Sequence, residues 1–167
     1  MNFSKIFSTS LLAVASALAL PHKAFAETGV IHQVGDRAEG GIVFYVNRLG
    51  THGLVAAASD QRTDITLSKA DYSTGLFCSN PELFDENAEL YLDWRLPTRN
   101  ELKRLYNARY LVGNFVEKKS VAYVSGNMNM DSGIWVKRFE DGREQYKSPH
   151  YLPKEIKTFN IRCIRSF

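Results

Sequence analysis

Apolar and polar positions mark out a small set of elements, beginning with Gly40-Gly41 ahead of the run Ile42-Val43-Phe44-Tyr45-Val46. The run is β-rich and too short for a helix. Asn47 to Gly50 breaks it and Gly53 to Ala58 resumes an apolar strand, so the two segments predict a hairpin. From Asp60 to Tyr91 the pattern weakens into polar turns, with Asn80-Pro81 and an acidic stretch at 82–89 that includes Asp85, Glu86 and Glu89. These carboxylates match no calcium-loop spacing, and a solvated acidic face is the expectation.

The clearest helix follows Asp93-Trp94-Arg95-Leu96-Pro97. Thr98 with Glu101 three residues on forms a capping box, in which the hydroxyl accepts from an orphan amide and the carboxylate returns to the cap amide. Leu102, Leu105 and Tyr106 fall at helical spacing and face the core, Lys103 and Arg104 point outward, and the helix runs to about Arg109. Arg95 is expected to fix the loop ahead of it. Short β-type segments follow around 122–125, 134–139, 143–147 and 160–166, and one buried helix among short antiparallel strands argues for an α+β domain.

Asp141-Gly142 predicts a hairpin over 133–147. As a two-residue type I′ turn it pairs Glu140 with Arg143, Arg138 with Gln145, and Val136 with Lys147. Cross-strand partners share a face, so Arg138, Glu140, Arg143, Gln145 and Lys147 are expected outward, with Trp135, Phe139 and Tyr146 inward. Lys137 falls on the aromatic face, where it is expected either to snorkel or to pair with Glu144. Trp94 and Trp135 are both expected in the core.

Residues 1–26 read as a secretory leader, with Lys5 as a basic start, an apolar stretch from Ile6 to Leu20, and Ala24-Phe25-Ala26 as the cleavage signal before Glu27. No later stretch reaches the roughly 20 apolar residues of a membrane span, and no Cys follows the cleavage site to carry a lipid anchor. The expectation is an exported single domain at 27–167, secreted or periplasmic. In an oxidising compartment, pairing of Cys78 with Cys163 is the economical expectation. The chain-entropy estimate for so long a loop is about 4–5 kcal/mol as an upper figure.

Charge then adds a clue to partners. Residues 27–94 carry 4 Lys/Arg against 11 Asp/Glu, net −7, while 95–167 carry 15 against 7, net +8. A basic half of this kind suits polyanions if the halves do not neutralise each other in space. The leading expectation is an acidic or sulfated polysaccharide bound by Arg138, Arg143 and Lys147, with Lys118, Lys119, Lys154 and Lys157 around them. The other is a protein-interaction or structural module of the envelope that engages a partner or another copy of the chain. No phosphate loop, metal-ligand cluster or acid/base pair marks an enzyme or a cofactor site, and export argues against nucleic acid.

Several motifs together carry a family resemblance. They are Gly-Gly-Ile-Val-Phe-Tyr-Val (40–46), His-Gly-Leu-Val-Ala-Ala (52–57) with Asp60-Gln61, Asp-Trp-Arg-Leu-Pro-Thr (93–98) with Glu101-Leu102, Tyr123 with Ser125, Trp135 with Phe139 and Asp141-Gly142, and Ile-Arg-Cys-Ile-Arg-Ser-Phe (161–167). In this order they resemble the Lcl C-terminal domain family, named for the C-terminal domain of the Legionella collagen-like adhesin, over nearly all of 38–167. The resemblance implies an extracytoplasmic binding module with a C-type-lectin-like α+β fold, trimers, and sulfated glycosaminoglycan as ligand. Where the family has Tyr-Trp-Ser-Ser this chain has Tyr123-Val124-Ser125-Gly126, so no site built on that tryptophan carries over. It also has no collagen-like Gly-x-y tract to drive trimerisation.

Overall fold

The computed structural model describes residues 30–66, 77–79, 91–129, 133–147 and 156–167. The leader at 1–26, the acidic stretch at 82–89 and Lys154 lie outside the described residues. The order is β1 (Arg37–Ala38), β2 (Gly41–Val46), β3 (Gly53–Ala56), β4 (Arg62–Ile65), α1 (Arg99–Asn107), α2 (Arg109–Val112), β5 (Val121–Asn129), β6 (Gly133–Lys137), β7 (Glu144–Lys147), β8 (Thr158–Ile161) and β9 (Ile164–Ser166). Two sheets form, ordered β1-β2-β3-β9 and β4-β8-β5-β6-β7, which makes the class α+β. Among the described residues no helix is long and apolar enough to cross a membrane.

The β2–β3 hairpin forms where the apolar runs predict it, and its alternating side chains feed two cores. Ile42, Phe44, Leu54 and Ala56 pack with Leu102 and Leu105 of α1 and with Tyr123 and Phe139. Val43 and Val55 point the other way, toward Trp94, Val124, Ile134, Val136 and Phe159. Helix α1 therefore covers one side of both sheets, and a second apolar layer fills the other.

Local chemistry starts α1 at the predicted cap. Thr98 accepts from the Glu101 amide at 3.3 Å, and Glu101 accepts from the Thr98 amide at 2.8 Å. Arg95 closes the motif with both ends of its guanidinium on the Glu101 carboxylate, each bond 2.8 Å. Burial pushes the Glu101 carboxyl up, but Arg95 and Thr98 outweigh it and hold the group down at about 2. Thr98→Ala is expected to remove about 1 kcal/mol of stability in urea unfolding at neutral pH. Since the folded Glu101 titrates below its ordinary value of 4.5, the stabilisation by its carboxylate is complete above that value. It is lost as pH falls toward about 2. An unchanged urea midpoint for Thr98→Ala contradicts the cap.

Four expectations need correction. The strands are not all antiparallel: β5 and β8 pair in parallel, Val121 with Thr158. The closing segment 160–166 is two strands in different sheets, with Arg162 and Cys163 at the crossing. The hairpin at Asp141-Gly142 pairs Val136 with Gln145 and Ile134 with Lys147, because residues 138–143 form the loop rather than two residues. Finally, aromatic content did not select the inner face of this hairpin: Tyr146, expected inward, pairs with Trp135 and is exposed. Ile134, Val136 and Lys147 are buried on one face. On the other face Trp135 is only half-buried, with the Arg99 guanidinium 3.6 Å from its ring centroid. Lys137 does meet Glu144, at 3.1 Å.

The sheet crossing is held by a buried polar frame. Arg162, fully buried, donates to Asp60 Oδ1 at 2.7 Å, to the Ala57 carbonyl at 3.0 Å and to the Asn114 carbonyl at 2.7 Å. Asp60 Oδ2 accepts from the Tyr123 hydroxyl and from Asn160, each at 2.9 Å. Burial, with Asp60 nearby, pushes the Tyr123 hydroxyl well above its ordinary value. Beside this frame the Cys163 amide donates to Gln61 Oε1 at 2.7 Å, and Cys163 is disulfide-bonded to Cys78 as expected.

Candidate functional site

The loop 138–143 is shaped by burial of Phe139, which sits among Tyr106, Phe115 and Tyr123. With Phe139 drawn inward, the chain turns tightly enough for the Gly142 amide to reach the Arg138 carbonyl at 2.9 Å. Gly142 takes φ 75°, and a Cβ there would lie 2.7 Å from the Tyr106 ring, so both backbone and space require glycine. Asp141 Oδ1 accepts from Arg138 Nε at 2.8 Å and from the Arg143 amide at 3.1 Å.

These bonds turn Arg138 inward. It is 4% exposed, paired with Asp141 and 3.8 Å from Glu140, so it is not the outward cation expected. The Arg138 guanidinium holds the Asp141 carboxyl well below the usual carboxylate range. Lys147 is also misplaced by the outward assignment: it is completely buried opposite Ile134, away from the loop. Arg143 alone of those three is exposed.

Other segments supply the remaining cations. Because β5 and β8 run in parallel, both start at the end of the sheet beside this loop, and Lys157 and Thr158 donate their amides to the Ser120 carbonyl at 2.8 and 3.2 Å. That stitch places Lys119 and Lys157 together. Lys119, Ser120 and Lys157 then line one open cleft of about 630 Å³ with Arg138, Glu140, Asp141 and Arg143. The lining carries four cations against two carboxylates, and Lys119, Arg143 and Lys157 are exposed. Lys118 is exposed but does not line the cleft, and Lys154 lies outside the described residues.

Much of the basic half is consumed by structure. Arg95 pairs with Glu101, Arg99 with Glu144, Arg109 with Glu117, and Arg138 with Asp141. Arg162 and Arg165 take Asp60, Asp93 and Glu39 from the acidic half. The two halves thus interleave in part, and the sequence-level charge split overstates the charge left for a ligand. The cleft is where exposed positive charge from separate segments converges. Sequence reasoning placed Lys119 and Lys157 only at the rim and passed over Ser120 and Asp141, since nothing local announces the parallel pairing that joins them. The chain matches no family model and no curated protein.

Proposed function

We propose that this protein is an exported binding module that holds acidic polysaccharide, of the sulfated glycosaminoglycan type, in the cleft between the 138–143 loop and the starts of β5 and β8. The observation that carries the proposal is the convergence of exposed Lys119, Arg143 and Lys157 from three segments on one open cleft. Guanidinium and ammonium groups supply hydrogen-bond donors along with charge, which suits sulfate oxygens. Arg138 beneath them, neutralised by Asp141, holds the loop in shape and leaves direct contact to the exposed three. The resemblance to the Lcl C-terminal domain family, and with it a C-type-lectin-like form of the α+β fold, agrees with this function.

Immobilised heparin gives the first test. The protein is expected to be retained at low salt and eluted by a salt gradient, since exposed charges are screened over about 8 Å at physiological ionic strength. It is expected to pass unretained over a neutral glycan. Passage through heparin at low salt contradicts the proposal and favours the protein-interaction alternative.

A further inference from the structure

A second cleft, of about 410 Å³, opens between the β2–β3 hairpin and α1. Tyr45, Leu54 and Phe167 supply apolar wall, and Asn100, Arg104 and His52 supply polar groups. Arg104 differs from the paired arginines described above. Its guanidinium carbon lies 3.9 Å from the Tyr45 ring centroid, and among the described residues it makes no ion pair or side-chain hydrogen bond. This cation–π contact holds the group over the ring face and leaves N–H donors available to a ligand. Asn100 stands one turn earlier on the same helix face. Glu101 also borders this cleft, but both of its oxygens are taken by Arg95, so its charge is compensated.

We infer that this cleft binds a single carboxylated pyranose, such as a uronic acid residue. Arg104 takes the carboxylate side-on, Asn100 and His52 serve the ring hydroxyls, and Phe167 and Leu54 cover the C–H face of the sugar. One planar fork matches one planar carboxylate, whereas the several cations of the 138–143 cleft suit a polyanion. A mainly apolar concavity with a few converging polar groups is the usual form of a small-ligand site. The inference does not rest on the function proposed for the other cleft.

The test is a calorimetric titration of the protein with D-glucuronate, with its neutral methyl ester and with glucose 6-sulfate. It is accompanied by the NMR signal of the Arg104 Nε–H and repeated on Arg104→Gln, Arg104→Lys and the triple variant Lys119→Ala, Arg143→Ala, Lys157→Ala. D-Glucuronate is expected to bind with roughly millimolar affinity and to shift the Arg104 signal. Arg104→Gln, whose exposed side chain leaves both cores intact, is expected to weaken binding at least about tenfold, the cost of a charge-assisted pair. Arg104→Lys should fall between, and both the ester and the sulfate should bind at least about tenfold more weakly than glucuronate. The triple variant should bind glucuronate as the parent does. No binding of glucuronate, equal binding of the ester or the sulfate, undiminished binding by folded Arg104→Gln, or loss of binding in the triple variant each overturns the inference.

Discussion

Replacing Arg162 with methionine is expected to destabilise the domain by about 3–5 kcal/mol, the scale for breaking a buried pair and leaving one charge behind. Methionine keeps much of the apolar stem but returns nothing to Asp60 Oδ1 or to the carbonyls of Ala57 and Asn114. The Asp60 side chain is only 7% exposed, so the remaining carboxylate is left with Tyr123 and Asn160 as donors. The contact of the guanidinium with the Phe115 ring, 4.2 Å from its centroid, is lost as well. Urea unfolding followed by circular dichroism measures the loss. Adding Asp60→Asn to Arg162→Met should cost less than the sum of the two single changes, because both belong to one network. A loss below about 1 kcal/mol for Arg162→Met contradicts the assignment of Arg162 to the centre of that frame.

Removing the disulfide comes next in size. Cys78 and Cys163 are separated by 85 residues, and both are buried. Changing both to alanine is expected to cost about 2–5 kcal/mol, the range for loss of a native bridge in a small disulfide-bonded domain. Part of the effect lies in the unfolded chain, which the bridge no longer restricts, and part in the packing around the crossing from β8 to β9. The Cys163 amide and carbonyl remain tied to Gln61 and Ala57 at 2.7 and 3.0 Å, so the fold should persist at reduced stability. Thermal unfolding with and without reductant checks this. An unchanged midpoint after complete reduction contradicts the structural role.

What could be foreseen from the sequence divides along the range of the forces involved. The start of α1 is written in adjacent residues, since Thr98, Glu101 and Arg95 meet within one turn and the loop before it. The β2–β3 hairpin is equally local. The 138–143 loop defeated the two-residue turn because Phe139 is bound to a distant core and Asp141 is bound to Arg138, and both override the preference of Asp-Gly. Sandwiching between α1 and the second core likewise hid the fact that Ile134 and Val136, rather than Trp135, point into the deeper layer. Strand β4, with three exposed residues of four, carries no apolar pattern to find.

The site follows the same division. Arg143 was legible as an outward cation next to a turn, while the company of Lys119 and Lys157 depends on the parallel pairing of β5 with β8, a long-range contact. One signal in the sequence did point to structure rather than to binding. Arg162 stands within Asn160-Ile161-Arg162-Cys163-Ile164, a segment apolar enough to be buried, where a guanidinium requires a carboxylate partner. Asp60, from the acidic half of the chain, is that partner.

The central claim is that Lys119, Arg143 and Lys157 carry polyanion binding. It is tested most directly by the salt dependence of affinity for a labelled heparin oligosaccharide, compared between the parent and the variant with all three changed to alanine. If the three ions contact the ligand, the slope of log K against log salt should flatten by about two to three released counterions, with a matching loss of affinity at low salt. The fold should survive, because all three side chains are exposed. A folded variant that keeps the parent slope and affinity contradicts the account.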